Sequence, residues 1–337
     1  MHLKKLGLGL GLILILSLMT LTTQFSYADE AENREKIENE VKQLSIDGKF
    51  AELEQMATAF RDPQARTSSG LWKLTLFYVG LSKSLRHNTN DDEVWSGIEG
   101  RIKKWQRAYP NSAAAQLAYS EMLINRAWTV RGSGFAGDVQ EKNWKPFYSY
   151  VEQARAYLEA HKKITSKDPY WYQQMEGIAK YQSWSENKME AVIDEGLSKM
   201  PQFYPLYFDA IDYYAPKWGG NAHAIEKFAR KALERTEAVE GYGMYARIYW
   251  YAAQTQYRNR LFTESQVDWT TMKKGIDDVL KKYPDAWNIN HFAKFACDAK
   301  DKGKTAELIG MIKSDVLPGV WGSQFAFEHC RRWSAIP

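Results

Sequence analysis

The chain is poor in the residues that would narrow its chemistry. Among 337 residues there are two cysteines, ten prolines and six histidines. Two cysteines cannot form a disulfide framework. Charge is balanced, with 45 Lys and Arg against 41 Asp and Glu, so no concentrated basic face argues for a nucleic-acid partner. Beyond the first residues there is no 18-residue uncharged apolar run, so no membrane span is expected in the mature chain. G-x-S-x-G and H-E-x-x-H are absent. Gly303-Lys304-Thr305 imitates the end of a phosphate loop, but Asp298 stands where that loop needs glycine. Ser185-x-x-Lys188 lacks the Lys-Thr-Gly strand that accompanies it in penicillin-recognising enzymes. His87, His161 and His223 have no second ligand at metal spacing. Neither a cofactor nor a metal is expected. Composition also excludes disorder, since 45% of residues are hydrophobic and 14% aromatic.

Residues 1–28 read as a secretory signal peptide. Lys4 and Lys5 supply the positive start, Leu6 to Leu21 an apolar core too short to span a bilayer, and Ser26-Tyr27-Ala28 the small-residue cleavage pattern. Cleavage after Ala28 predicts an exported protein, periplasmic or secreted. An uncleaved anchor is the competing reading. Loss of Lys4 and Lys5 lowers the net charge from +4 to +2.

Apolar residues then recur at helical spacing. Ile225, Phe228, Ala229, Ala232 and Leu233 form one stripe. Trp269, Met272, Ile276, Val279, Leu280 and Tyr283 form a second, and Ile289, Phe292, Ala293, Ala296 and Cys297 a third. Asn111, Asn221 and Asp285 sit where helix N-caps belong. The pattern predicts about fifteen helices: 31–46, 49–61, 69–85, 91–108, 111–130, 143–164, 169–183, 186–199, 203–215, 221–238, 242–257, 267–282, 285–299, 303–315 and 322–334. Strand signals are scarce. The fold class is all-α. No linker composition divides residues 31–337, which predicts one domain. Helix pairs starting near Pro110, Pro201 and Pro284 have the rhythm of tetratricopeptide-like pairs, though the W-x2-L-G-x2-Y pattern is absent and the spacing varies.

Five residues are candidates for a ligand or partner surface. Trp128 and Arg131 precede a glycine-bearing loop (Gly132-Ser133-Gly134), which can equally be a helix end and turn. Trp218 lies in Pro216-Lys217-Trp218-Gly219-Gly220, as an aromatic platform or a cover for helix ends. Arg247 and Trp250 lie in a run of aromatics. A buried Arg247 needs a partner, with Glu240 and Glu237 nearest in sequence, or else faces a cleft and holds a carboxylate or phosphate. The rows Tyr170-Trp171-Tyr172 and Tyr249-Trp250-Tyr251 cannot all face one core, so some rings reach a groove or interface. Cys297 and Cys330 lie 33 residues apart. In an oxidising compartment a disulfide clamping the last helix is the economical reading. Free buried thiols and a metal site with His291 and His329 are the alternatives.

The strings WQRAYP (105–110), Ala127-Trp128 with Arg131-Gly132, YPLYF (204–208), PKWGG (216–220), YARIYW (245–250) and NHFAKFAC (290–297) together resemble a family of exported bacterial proteins with tetratricopeptide-like helices and a domain of unknown function. The resemblance covers roughly residues 70–334. It implies a helical-repeat fold and carries no catalytic residues across. On function two readings stand. One is a non-enzymatic module that binds a protein or peptide partner in the cell envelope. The alternative is an all-helical enzyme acting on a cell-envelope or extracellular polysaccharide, which needs facing carboxylates in a cleft.

Overall fold

The computed structural model describes residues 30–216, 219–312 and 316–336. The expected signal peptide, Trp218 and Lys217 fall outside them. The first half contains α1 (Glu30–Ile46), α2 (Phe50–Phe60), α3 (Lys73–Leu85), α4 (Asp92–Ala108), α5 (Ala113–Arg131), α6 (Glu141–Ala160), a single turn α7 (Lys162–Thr165), α8 (Tyr170–Tyr181) and α9 (Glu186–Lys199). The second half contains α10 (Tyr204–Tyr213), α11 (Ala222–Glu240), α12 (Gly243–Ala252), a turn α13 (Leu261–Glu264), α14 (Trp269–Lys282), α15 (Ala286–Asp298), α16 (Lys302–Met311), a turn α17 (Pro318–Trp321) and α18 (Gln324–Ala335). Among the described residues there is no strand, only one isolated bridge between Arg66 and Trp72. No described helix is long and apolar enough to cross a membrane.

Local chemistry accounts for the helix starts. Asn221 and Asp285 cap α11 and α15, accepting from the amides of Ala224 and Trp287. Asp91, Asp268, Asp301 and Ser323 do the same for α4, α14, α16 and α18, each satisfying an amide the helix leaves unpaired. The cap of α5 is Ser112 rather than Asn111. Its amide first closes a turn onto the Tyr109 carbonyl at 3.0 Å, which moves the helix start one residue on. Helix α3 likewise starts at Lys73 and not at 69. Residues Thr67 to Leu71 close a loop of their own, with the Thr67 amide on the Leu71 carbonyl at 2.8 Å and Gly70 at φ +91°. Beyond Ala252 the α12 ladder gives way to a π turn, Ala253–Tyr257.

Helix α1 packs on α3, α3 on α5, α5 on α8, α8 on α10 and α10 on α12. Against this succession α4 packs on α5, α6 on α5 and α8, α9 on α8 and α10, and α11 on α10 and α12. Helices α14, α15, α16 and α18 continue the chain's path, each against the next. The buried apolar side chains, from Val41 to Cys330, form one connected core. Helix α5 lies inside it and is covered on nearly every side, with polar Gln116, Ser120, Glu121 and Asn125 among its buried residues.

The aromatic triplets divide between core and hollow: Trp171, Tyr172 and Tyr249 are core residues, while Tyr170, Trp250 and Tyr251 line hollows. Tyr170, Trp171 and Tyr172 are all buried, because α8 has neighbours on opposite sides. Their polar atoms find partners in both directions. The Tyr170 hydroxyl donates to Glu121, the Trp171 indole to the Leu158 carbonyl and the Tyr172 hydroxyl to Glu195. Cys297 and Cys330 stand at bonding distance, with their Cα atoms 5.9 Å apart, and tie α15 to α18.

Candidate functional site

Two hollows share α10 as a wall. The larger has a volume of about 710 Å³ and is walled by α5, α8 and α10. Helix α5 presents Glu121, Asn125 and Trp128, α8 presents Gln173, Gln174, Lys180 and Tyr181, and α10 presents Asp209 and Asp212. Those spacings are one or two helical turns, so each helix lines the space with a single stripe.

Polar groups in this hollow are held before any ligand arrives. Buried Glu121 accepts from the Ser82 hydroxyl at 2.5 Å, the Tyr170 hydroxyl at 2.8 Å, the Gln174 amide at 3.0 Å and the Asn125 amide at 3.1 Å. Asp212 accepts from the Tyr251 hydroxyl and the Gln256 amide, each at 3.1 Å. Lys180 stands 3.8 Å from Asp212. Burial alone would push the Lys180 ammonium down, but Asp209, Tyr181, Asp212 and Glu176 together hold it above its ordinary range. Burial raises the Asp209 carboxyl, with Lys180 opposing and Asp212 adding to the rise. One turn before Lys180 lies Glu176, fully buried, neither carboxyl oxygen having a hydrogen-bond partner. Desolvation, then the Asp209 charge, carries its pKa well above the ordinary carboxyl value.

The smaller hollow, about 150 Å³, lies between α10, α12, α15 and the Thr67–Leu71 loop. Its walls include Tyr204, Phe208, Trp250, Tyr251 and Trp287, with Arg34 and Arg247 as its charged groups. Arg247 is 8% exposed. Its guanidinium lies 5.0 Å from the Tyr204 ring and 5.6 Å from the Tyr283 ring, and donates one bond to the Ser69 carbonyl at 3.2 Å. Its Nε has no partner. Neither Glu240 nor Glu237 completes an ion pair with it. Glu240 is buried 3.8 Å from Lys282, and Glu237 is exposed. Among the described residues no carboxylate comes within 4 Å of Arg247. Asn288, fully buried beside it, donates to the Ser69 and Tyr283 carbonyls and leaves its own Oδ1 without a partner. Arg34 is neutralised by Glu30 at 2.6 Å and lies over Trp287.

The five candidate residues therefore do not form one site. Trp128 lines the larger hollow, edge-on to Tyr181 at 5.3 Å. Arg131 stands behind it, over the Trp128 and Trp144 rings at 4.8 and 5.2 Å, and donates to the Gly132 and Gly134 carbonyls. Its role is to hold the end of α5, where Gly132 at φ +83° caps the helix. Arg247 and Trp250 line the smaller hollow. Trp218 is not among the described residues.

Sequence reasoning missed Glu121, Glu176, Lys180, Asp209 and Asp212. The signal was present. Glu121, Asn125 and Trp128 follow helical spacing inside an otherwise Ala- and Leu-rich helix, and Asp209 with Asp212 does so in YPLYFDAIDYY. Gly303-Lys304-Thr305 is structural: Lys304 pairs with Asp277 and Glu307, and Thr305 bonds the Asp301 carbonyl. No group of three His, Cys, Asp or Glu residues is placed to hold a metal ion among the described residues. No protein-family model matches the chain, and neither a curated protein nor a solved structure shows significant similarity to it.

Proposed function

We propose that this is an exported, tetratricopeptide-like helical array that binds a peptide or protein segment in the cell envelope, and that the segment lies on the face formed by α5, α8, α10 and α12. The observation that carries the reading is the larger hollow, whose carboxylates and amides are fixed by their own hydrogen bonds. Such preorganisation lowers the ordering cost of binding. Glu121 and Asp212 are occupied by donors, which suits a scaffold better than proton transfer. Successive packing of helix pairs supports the repeat reading. The N-terminal pattern and the cysteine pair at bonding distance support export. The test places a photo-crosslinking residue at Gln173 in the hollow, and separately at exposed Glu159 on α6, in the full-length exported protein. A defined peptide or protein crosslinked only from Gln173 is expected. Equal products from both positions, or none, would overturn the reading.

A second reading rests on the acids. Asp209 and Asp212 share the hollow with Lys180, while buried Glu176, one turn from Lys180, has its carboxyl pushed up by desolvation. An enzyme acting on an envelope polysaccharide needs a carboxyl with a raised pKa beside a second acid. It predicts release of reducing ends that Asp209→Asn abolishes. Absence of turnover on cell-wall and capsular glycans removes it.

A further inference from the structure

We infer that the smaller hollow is a receptor for a carboxylate that carries a hydrogen-bond donor on the adjoining carbon and a small apolar body. The inference concerns a different hollow from the crosslinking test and does not rest on its outcome. Three features converge. Arg247 is a buried guanidinium without an ion-pair partner, and its Nε points a donor at nothing. A buried charge left in that state is costly unless something anionic completes it. Asn288 Oδ1 is an unpaired buried acceptor beside the same hollow, because the two amide protons are already committed to the Ser69 and Tyr283 carbonyls. The ligand must therefore bring a donor as well as an anion. The remaining wall is aromatic, from Phe208, Trp250 and Tyr251. A volume near 150 Å³ accommodates a branched aliphatic group or a single ring. Exposed Gln254 stands at the mouth.

An α-hydroxy acid and the terminal residue of a peptide both present this chemistry. The test is calorimetric titration of the full mature protein at neutral pH with 2-hydroxyisovalerate, N-acetylvaline, isovalerate and N-acetylvalinamide. At least one of the first two should bind. Isovalerate, lacking the donor, should be weaker by about tenfold, and the amide, lacking the anion, should give no heat. Tighter binding of N-acetylvaline assigns a peptide end, and tighter binding of the hydroxy acid a free metabolite. Gln254→Trp should close the mouth and abolish binding with an unchanged melting temperature. Arg247→Gln should abolish it in protein that keeps the native circular dichroism. Binding of the amide as tight as the acid, binding retained in Q254W, or no heat from any of the four at millimolar concentration overturns the assignment.

Discussion

Arg247 donates from its guanidinium to the main-chain carbonyl of Ser69, 178 positions earlier in the chain. Asn288 reaches the same carbonyl from 219 positions away. Arg66, on the same loop, donates to the Gln202 carbonyl and lies over the Tyr204 ring at 4.8 Å. The Thr67–Leu71 loop thus joins the first helices to α10, α12 and α15, alongside the direct contact of Arg34 on α1 with Trp287 on α15.

Glycine at position 70 is what lets the loop approach so closely. A Cβ there would stand 2.8 Å from both the Arg247 guanidinium and the Tyr283 ring, on a backbone with φ +91°. Gly70→Ala should destabilise the protein by about 1–3 kcal/mol. Thermal denaturation checks this, and an unchanged midpoint would remove the clasp as a stabilising feature.

Glu121 ties α3, α5 and α8 together through its four donors. Glu121→Ala leaves the Tyr170 hydroxyl without its acceptor and the Gln174 amide with only the Leu117 carbonyl, and should cost about 3 kcal/mol. Tyr170→Phe removes only one donor and should cost about 1 kcal/mol. Urea titrations that rank these two in the opposite order would refute the network.

Two buried groups should give the stability curve opposing slopes. Burial, then Arg34 and Lys294, lowers His291 from 6.5 to about 3. Between those values the unfolded chain binds a proton that the folded one refuses, so stability falls as pH falls from 6.5 toward 3. His291→Phe, which keeps a ring against Trp250 and Trp287, should flatten that limb. Glu176 works in the other direction. Its folded pKa is raised well above the ordinary carboxyl value of 4.5, so its folded proton is retained while the unfolded carboxyl ionises, and stability falls as pH rises above that value. Glu176→Gln should therefore gain on the parent by up to about 1.4 kcal/mol per pH unit from pH 5 upward. Melting curves from pH 4 to 8 on both variants decide the signs.

The Cys297–Cys330 pair closes a loop of 33 residues. Breaking it should cost about 3–4 kcal/mol in the loop-entropy picture, felt chiefly by α15 to α18. Cys297→Ser with Cys330→Ser, or the parent protein under reductant, should expose the C-terminal helices to proteolysis first. Indifference of both melting and cleavage to reductant would contradict it.

What the sequence made legible was whatever depends on neighbours a few residues apart. The stripes at Ile225–Leu233 and Met272–Leu280 are buried as their spacing implies, and each expected helix has a counterpart within a few residues. The hollows were not legible, because they depend on which helices become adjacent. Asp209 resembles any carboxylate on an amphipathic helix until α8 brings Lys180 and Glu176 beside it. The partner of Arg247 was sought nearby in sequence, at Glu240 and Glu237, whereas the group it meets is a carbonyl from a distant loop. Periodicity carries no information about a contact of that length. The aromatic triplets were legible as a division: consecutive rings cannot share one face, and Tyr170, Trp250 and Tyr251 line the hollows while Trp171, Tyr172 and Tyr249 are core.

The clasp also fixes an order of events. Ser69 is synthesised well before residue 247 and longer still before residue 288, so its carbonyl waits for donors that emerge late in translation. Nearest-neighbour helices can pair as they appear, but the ring of contacts through this loop closes only once the chain is nearly complete. Contacts of such sequence separation form slowly. A chain released before α15 would lack the Asn288 donor to Ser69, while the bonds of Glu30 to Ser68 and Ser69 and of Arg66 to the Gln202 carbonyl draw only on earlier residues.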